Sequence, residues 1–111
     1  MARSSAQSFQ RYPLTVVLGS TANVRVLREL SRHGGLLSAP CLVSRSGLSS
    51  SSVHAALYRL EASDIVDRVG SGRVHLYRVR AQHPLVIALE SLFEAEGLLS
   101  SAELAAKPST A

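Results

Sequence analysis

The chain has one cysteine, Cys41, and no tryptophan in 111 residues. A single thiol builds neither an intrachain disulfide framework nor a multi-cysteine metal site. Cys41 lies between Pro40 and Leu42 in an apolar stretch, which predicts a buried, inert thiol. Aromatic residues make up only 5% of the chain, so the core must come mainly from Leu, Val and Ala. Near the N-terminus the longest apolar run is residues 16–18, with Leu14 close by, too short for a secretory leader or a membrane span. These absences predict a reducing, cytoplasmic setting and no membrane partner. No phosphate-binding glycine loop and no G-x-S-x-G elbow occurs, and the serines are too numerous for any one to mark a nucleophile. His33, His54, His75 and His83 stand at no spacing that pairs them with a carboxylate or the thiol around a metal. The expectation is no catalytic residue, no metal, no cofactor and no enzymatic activity.

What the chain has in excess is arginine. Eleven of its twelve basic residues are Arg, and all eleven precede Pro84, against four acids in the same span. From Pro84 onward Lys107 faces Glu90, Glu94, Glu96 and Glu103. A basic body followed by an acidic end suits a polyanionic partner for the first part alone. Arginine also pairs in bidentate fashion with phosphate and with guanine, which lysine does not.

The pattern along the chain divides it into short elements. Residues 1–12 read as a flexible, Ser-rich arm, and residues 13–18 as an apolar lead-in of undecided type. Residues 22–33 are helical in period, with Val24, Val26, Leu27 and Leu30 inward and Arg25, Arg28 and Arg32 outside; His33-Gly34-Gly35 ends it, with a glycine available for a left-handed cap. Ser38 and Pro40 open a short second helix that Gly47 closes. Ser49 caps a third, in which Val53, Ala56, Leu57 and Leu60 recur at i, i+3, i+4 and i+7. It stops near Asp64, a residue that tolerates a left-handed backbone. Residues 65–69 and 73–79 read as two strands around Gly70-Ser71-Gly72. His83-Pro84 then opens a last helix expected to end at Gly97, leaving residues 98–111 as a short helix or disordered tail.

Two helices separated by Gly47-Leu48-Ser49 form a tight corner of the helix-turn-helix kind. A hairpin after the second helix makes the fold class mainly α with a small β-hairpin (α+β), a winged helix-turn-helix in one domain over residues 13–97. Opposite its apolar stripe the third helix carries small polar residues and a tyrosine. Ser49, Ser51, Ser52, His54, Tyr58 and Arg59 are therefore the candidate contacts to double-stranded DNA, with Arg68, Arg73 and Arg78 added by the wing. In the last helix Leu85, Leu89, Leu92 and Phe93 form a stripe larger than one small body readily covers, which predicts a homodimer built on that helix.

Residues 47–62, GLSSSSVHAALYRLEA, and the hairpin 70–79, GSGRVHLYRV, resemble the recognition helix and wing of ArsR/MarR-type winged-helix regulators. More narrowly, Leu18-Gly19-Ser20, His83-Pro84-Leu85 and residues 92–96, LFEAE, resemble winged-helix domains that precede small bacterial nucleotidyltransferase domains. The resemblance covers residues 14–96 and implies a sequence-specific, DNA-binding transcriptional regulator. It departs from the family pattern at Asp64, where Gly is usual, and at Ala55, where a basic residue is common. The missing basic residue keeps an alternative open, a protein-interaction or regulatory module associated with a nucleotidyltransferase system.

Overall fold

The computed structural model describes residues 12–70 and 72–106. The expected N-terminal arm, apart from Tyr12, lies outside the described residues, as do Ser71 and residues 107–111. The lead-in is a one-and-a-half-turn helix, α1 (Pro13–Leu18), started by proline and anchored by buried Val17.

The next helix, α2 (Thr21–His33), begins at Ser20, whose hydroxyl accepts from the Asn23 N–H at 3.4 Å. It buries Val26, Leu27 and Leu30 on one face, together with Asn23, and ends on left-handed Gly34. Val24 is only half-buried and packs at the edge of the core. A two-residue strand, β1 (Leu37–Ser38), follows. Ser38 then caps α3 (Ala39–Ser46), accepting from the Cys41 N–H at 3.3 Å.

Ala39 and Leu42 face the core from α3, so at about 100° per residue Cys41 points the opposite way. Cys41 is exposed, not buried as its apolar neighbours suggested. The flanking sequence misled because Pro40 is itself exposed and only Leu42 of the pair is inward.

Gly47 turns the chain at φ 72°, a conformation costly for any residue with a Cβ. Ser49 then caps α4 (Ser50–Ala62), which buries Val53, Ala56, Leu57 and Leu60, the four residues its period singled out. The helix is closed by buried Ser63, whose hydroxyl donates to the Arg59 carbonyl at 2.9 Å, and by Asp64 at φ 61°.

Two strands follow, β2 (Val66–Val69) and β3 (Leu76–Val79), both shorter than their β-branched content suggested. Pairing runs from Val66↔Val79 to Val69↔Leu76, so Gly70 and residues 72–75 belong to the wing loop. β3 also pairs antiparallel with β1, Leu37 opposite Tyr77, giving a three-stranded sheet in the order β1-β3-β2.

The last helix, α5 (Pro84–Ala106), runs through Gly97 without a break. A mid-helix glycine costs about 1 kcal/mol against alanine. Leu98, Leu99 and Glu103, with alanines at 102, 105 and 106, favour continuation, and Gly97 has no left-handed φ to stop it. The core is one cluster in which α2, α3 and α4 enclose Leu27, Leu30, Leu42, Leu57, Leu60 and Ile65, all fully buried. Burial of each large aliphatic side chain is worth about 1.5–3 kcal/mol. That rigid body fixes the outward faces of α4 and the hairpin.

Candidate nucleic-acid interface

The buried stripe of α4 spans about a third of its circumference, and what remains is the candidate surface. Ser51, His54, Ala55 and Tyr58 fall on one exposed strip directly opposite, with Tyr58 66% exposed. The start of the helix is dressed by Ser49. Its Oγ accepts from the Ser52 N–H at 3.2 Å and donates to the Ser52 hydroxyl at 2.9 Å, with the Ser51 hydroxyl 3.3 Å away. The His54 ring lies back along the helix, its Nδ1 3.0 Å from the Ser50 carbonyl. Short hydroxyls at a helix N-terminus leave the backbone dipole accessible to a phosphate.

Arg59 has a different occupation. It sits at the margin of the strip, half-buried, and its Nε donates to the Asn23 side-chain oxygen at 3.1 Å. Asn23 in turn donates through Nδ2 to the Val16 carbonyl at 2.7 Å. One carboxamide, 1% exposed, thus satisfies both its ends and joins α1, α2 and α4. Sequence reasoning missed Asn23 as a core residue, although it falls on the apolar face of α2 four residues before Leu27. Ser52, likewise, is turned toward its cap and not toward the centre of the strip.

The wing's arginines are unequal. Arg68 Nε lies 3.3 Å from the Glu61 carboxylate at the end of α4. Arg78 stands opposite Asp67 in the register, with 4.0 Å between Nε and the carboxylate. Arg80 holds that same carboxylate more tightly, with Nη2 at 2.6 Å, and the pairing keeps the Arg80 guanidinium above its ordinary pKa. Arg73 is exposed in the loop and has no ion pair among the described residues. The loop that carries it depends on Gly70 at φ 114°, where a Cβ would run into the Val74 carbonyl oxygen. Among the described residues no three His, Cys, Asp or Glu side chains are grouped to hold a metal ion, and no helix is long and apolar enough to cross a membrane.

The expected dimerisation stripe divides in the structure. Leu89 is buried, and Leu85 and Phe93 pack partly against the chain's own core beside buried Val86. Leu92 alone of the four is largely exposed. The helix is apolar on a second side as well. Ile87, Leu92, Leu98 and Leu99 are 56%, 62%, 67% and 71% exposed, and Ala88 and Ala95 lie among them.

A helix-turn-helix whose second helix presents a polar strip, followed by a basic two-stranded wing, defines the winged helix-turn-helix class. The MarR family model matches residues 20–75, half of the chain, and the chain belongs to that family. No curated protein matches it. Among solved structures, the AntR antimony-specific transcriptional repressor is 27% identical over 91% of this chain and 86% of its own, with a TM-score of 0.66. The homodimeric winged helix-turn-helix DNA-binding domain Mb0332 from Mycobacterium bovis, a possible ArsR-family regulator, is 16% identical. It covers 87% of this chain and 88% of its own at TM-score 0.58. ZitR of Lactococcus lactis, solved in complex with DNA, is 14% identical over 97% and 87% at 0.58. The last two show the fold alone. These likenesses carry the winged-helix half of the resemblance seen in the sequence and not its nucleotidyltransferase half.

Proposed function

We propose that this chain is a transcriptional regulator that binds double-stranded DNA as a homodimer, reading the major groove with α4 and touching the backbone with the wing. The observation that carries the reading is the exposed strip Ser51, His54, Tyr58 on α4, together with exposed Arg73, which has no ion pair among the described residues, in a member of the MarR family. A helix about 10–12 Å across fits a major groove about 12 Å wide. Ser49, Ser51 and the helix N-terminus meet phosphate, Tyr58 and His54 meet base edges, and Arg73 reaches phosphate or the minor groove. Arg68 and Arg78 add weaker contacts because acids already hold them. Arg59 acts through Asn23 to fix the angle of α4 and does not read a base.

The second side of α5 supports association. Four large apolar side chains left in water on one helix favour burial against a second copy. A two-fold pair places two recognition helices about 34 Å apart, one turn of DNA. No catalytic step is assigned to the chain, and its working place is wherever the DNA is, the cytoplasm of a bacterial-type cell.

The test is equilibrium binding to a random-sequence duplex across a salt series. The affinity should fall steeply and linearly on logarithmic axes as salt rises. A flat dependence would overturn the DNA reading and leave protein docking in its place.

A further inference from the structure

We infer that the cleft between α2, the end of α3 and α5 is a binding site for a small oxyanion carrying two or more negative charges. The cleft measures about 310 Å³ and is lined by Arg25, Arg28, Arg32 and Arg45, with Glu29 and Glu96 the only acids among its lining residues. That volume lies at the lower end of small-molecule sites. It is separate from the recognition strip on α4, and on α5 it borders the exposed apolar side, since Glu96 lies one turn from both Leu92 and Leu99.

The charge in the cleft is unbalanced. Arg25, Arg28 and Arg32 follow at i, i+3 and i+7, which stacks three like charges on one stripe of α2 at mutual cost. Glu96 neutralises Arg28 through two hydrogen bonds, at 2.9 and 3.0 Å, across 68 positions of sequence. Glu29 approaches Arg32 only to 3.8 Å. Arg25 and Arg45 have no acidic partner among the described residues. Two guanidiniums without an acidic partner among the described residues line a concave site, and with two more whose partners are a competing carboxylate and a loose pair they match a doubly charged oxyanion. Guanidinium forks bind such groups in bidentate fashion, and phosphate esters and dicarboxylates share that chemistry. A bound anion competes with Glu96 for Arg28, the tie between α5 and α2, so the ligand loosens the link between the association helix and the DNA-binding body.

The experiment is calorimetric titration of the full DNA-free chain with pyrophosphate, and in a second arm with succinate, at constant ionic strength set by chloride. One site per chain is expected in at least one arm. The arms distinguish a phosphate-bearing from a dicarboxylate ligand. Arg25→Gln and Arg45→Gln should each weaken binding about three- to tenfold. Glu96→Gln, which frees Arg28, should tighten it several-fold, whereas Glu94→Gln, on the same helix outside the cleft, should leave it unchanged. Saturation in neither arm would overturn the site. So would binding lost in Arg73→Gln on the wing but kept in the two cleft variants, since the anion would then sit on the DNA surface. Because no DNA is present, the outcome is independent of the proposed function.

Discussion

The Nε of Arg59 donates to the side-chain oxygen of Asn23 at 3.1 Å, joining α4 to α2 across 36 positions of sequence. Asn23 is buried, so the bond forms where water does not compete for the oxygen. Asn23→Leu removes a carboxamide satisfied at both ends and leaves Arg59 and the Val16 carbonyl without it. A loss of about 1–3 kcal/mol in urea unfolding is expected. Arg59→Ala should weaken every DNA sequence alike. Relaxed preference at a single base pair would instead make Arg59 a reader of bases.

Tyr58 and His54 are exposed, so their removal should spare the fold. Tyr58→Ala is expected to keep its unfolding midpoint while binding to a selected site weakens by about 1–3 kcal/mol relative to random DNA. Equal affinity of wild type and variant for both DNAs would take the strip out of the groove.

Arg73 is the wing arginine without an ion pair among the described residues. Arg73→Ala should reduce the slope of log affinity against log salt by about one and weaken all sequences similarly. Arg68→Ala and Arg78→Ala should change the slope less, because Glu61 and Asp67 already balance them. An order reversed among the three would show that these ion pairs open on DNA.

The two sides of α5 are separable by substitution. Leu89→Ala, at a position 3% exposed, should cost about 2–5 kcal/mol of stability. Leu92→Glu, 62% exposed, should fold and sediment as a monomer at micromolar concentration where the wild type is a dimer. A wild-type chain that is itself monomeric there would defeat the dimer.

Cys41 should react with a thiol reagent in the native protein at a rate near that of the unfolded chain, because α3 turns it outward. Strong native protection would mean that another surface covers α3.

Local signals went far in this chain. Period located α2, α3 and α4, and for the last two the caps did as well: Ser38 and Ser49 are the caps in the structure, and Gly47 is the left-handed end of α3. The left-handed Asp64 was also visible, since few residues suit that corner. The order helix, short helix, turn, helix, hairpin then led to the winged-helix class, and the run of residues 47–62 to the family.

Other features depended on partners distant in sequence. β1 has only two residues, too few to show a period, and exists because β3 offers Leu37 and Ser38 a ladder. Nothing local marks Arg59 as the partner of Asn23, 36 positions away, because that bond exists only once α2 and α4 pack. Leu85, Leu89, Leu92 and Phe93 form one apolar set in the sequence, yet the angle at which α5 meets α2 buries Leu89 and leaves Leu92 in water. The sequence determined which segments turn into helices and where they stop, because caps and period act within a few residues. Only the tertiary structure decided which polar groups are consumed inside the body and which remain to meet a ligand, because that depends on what packing brings within hydrogen-bond distance.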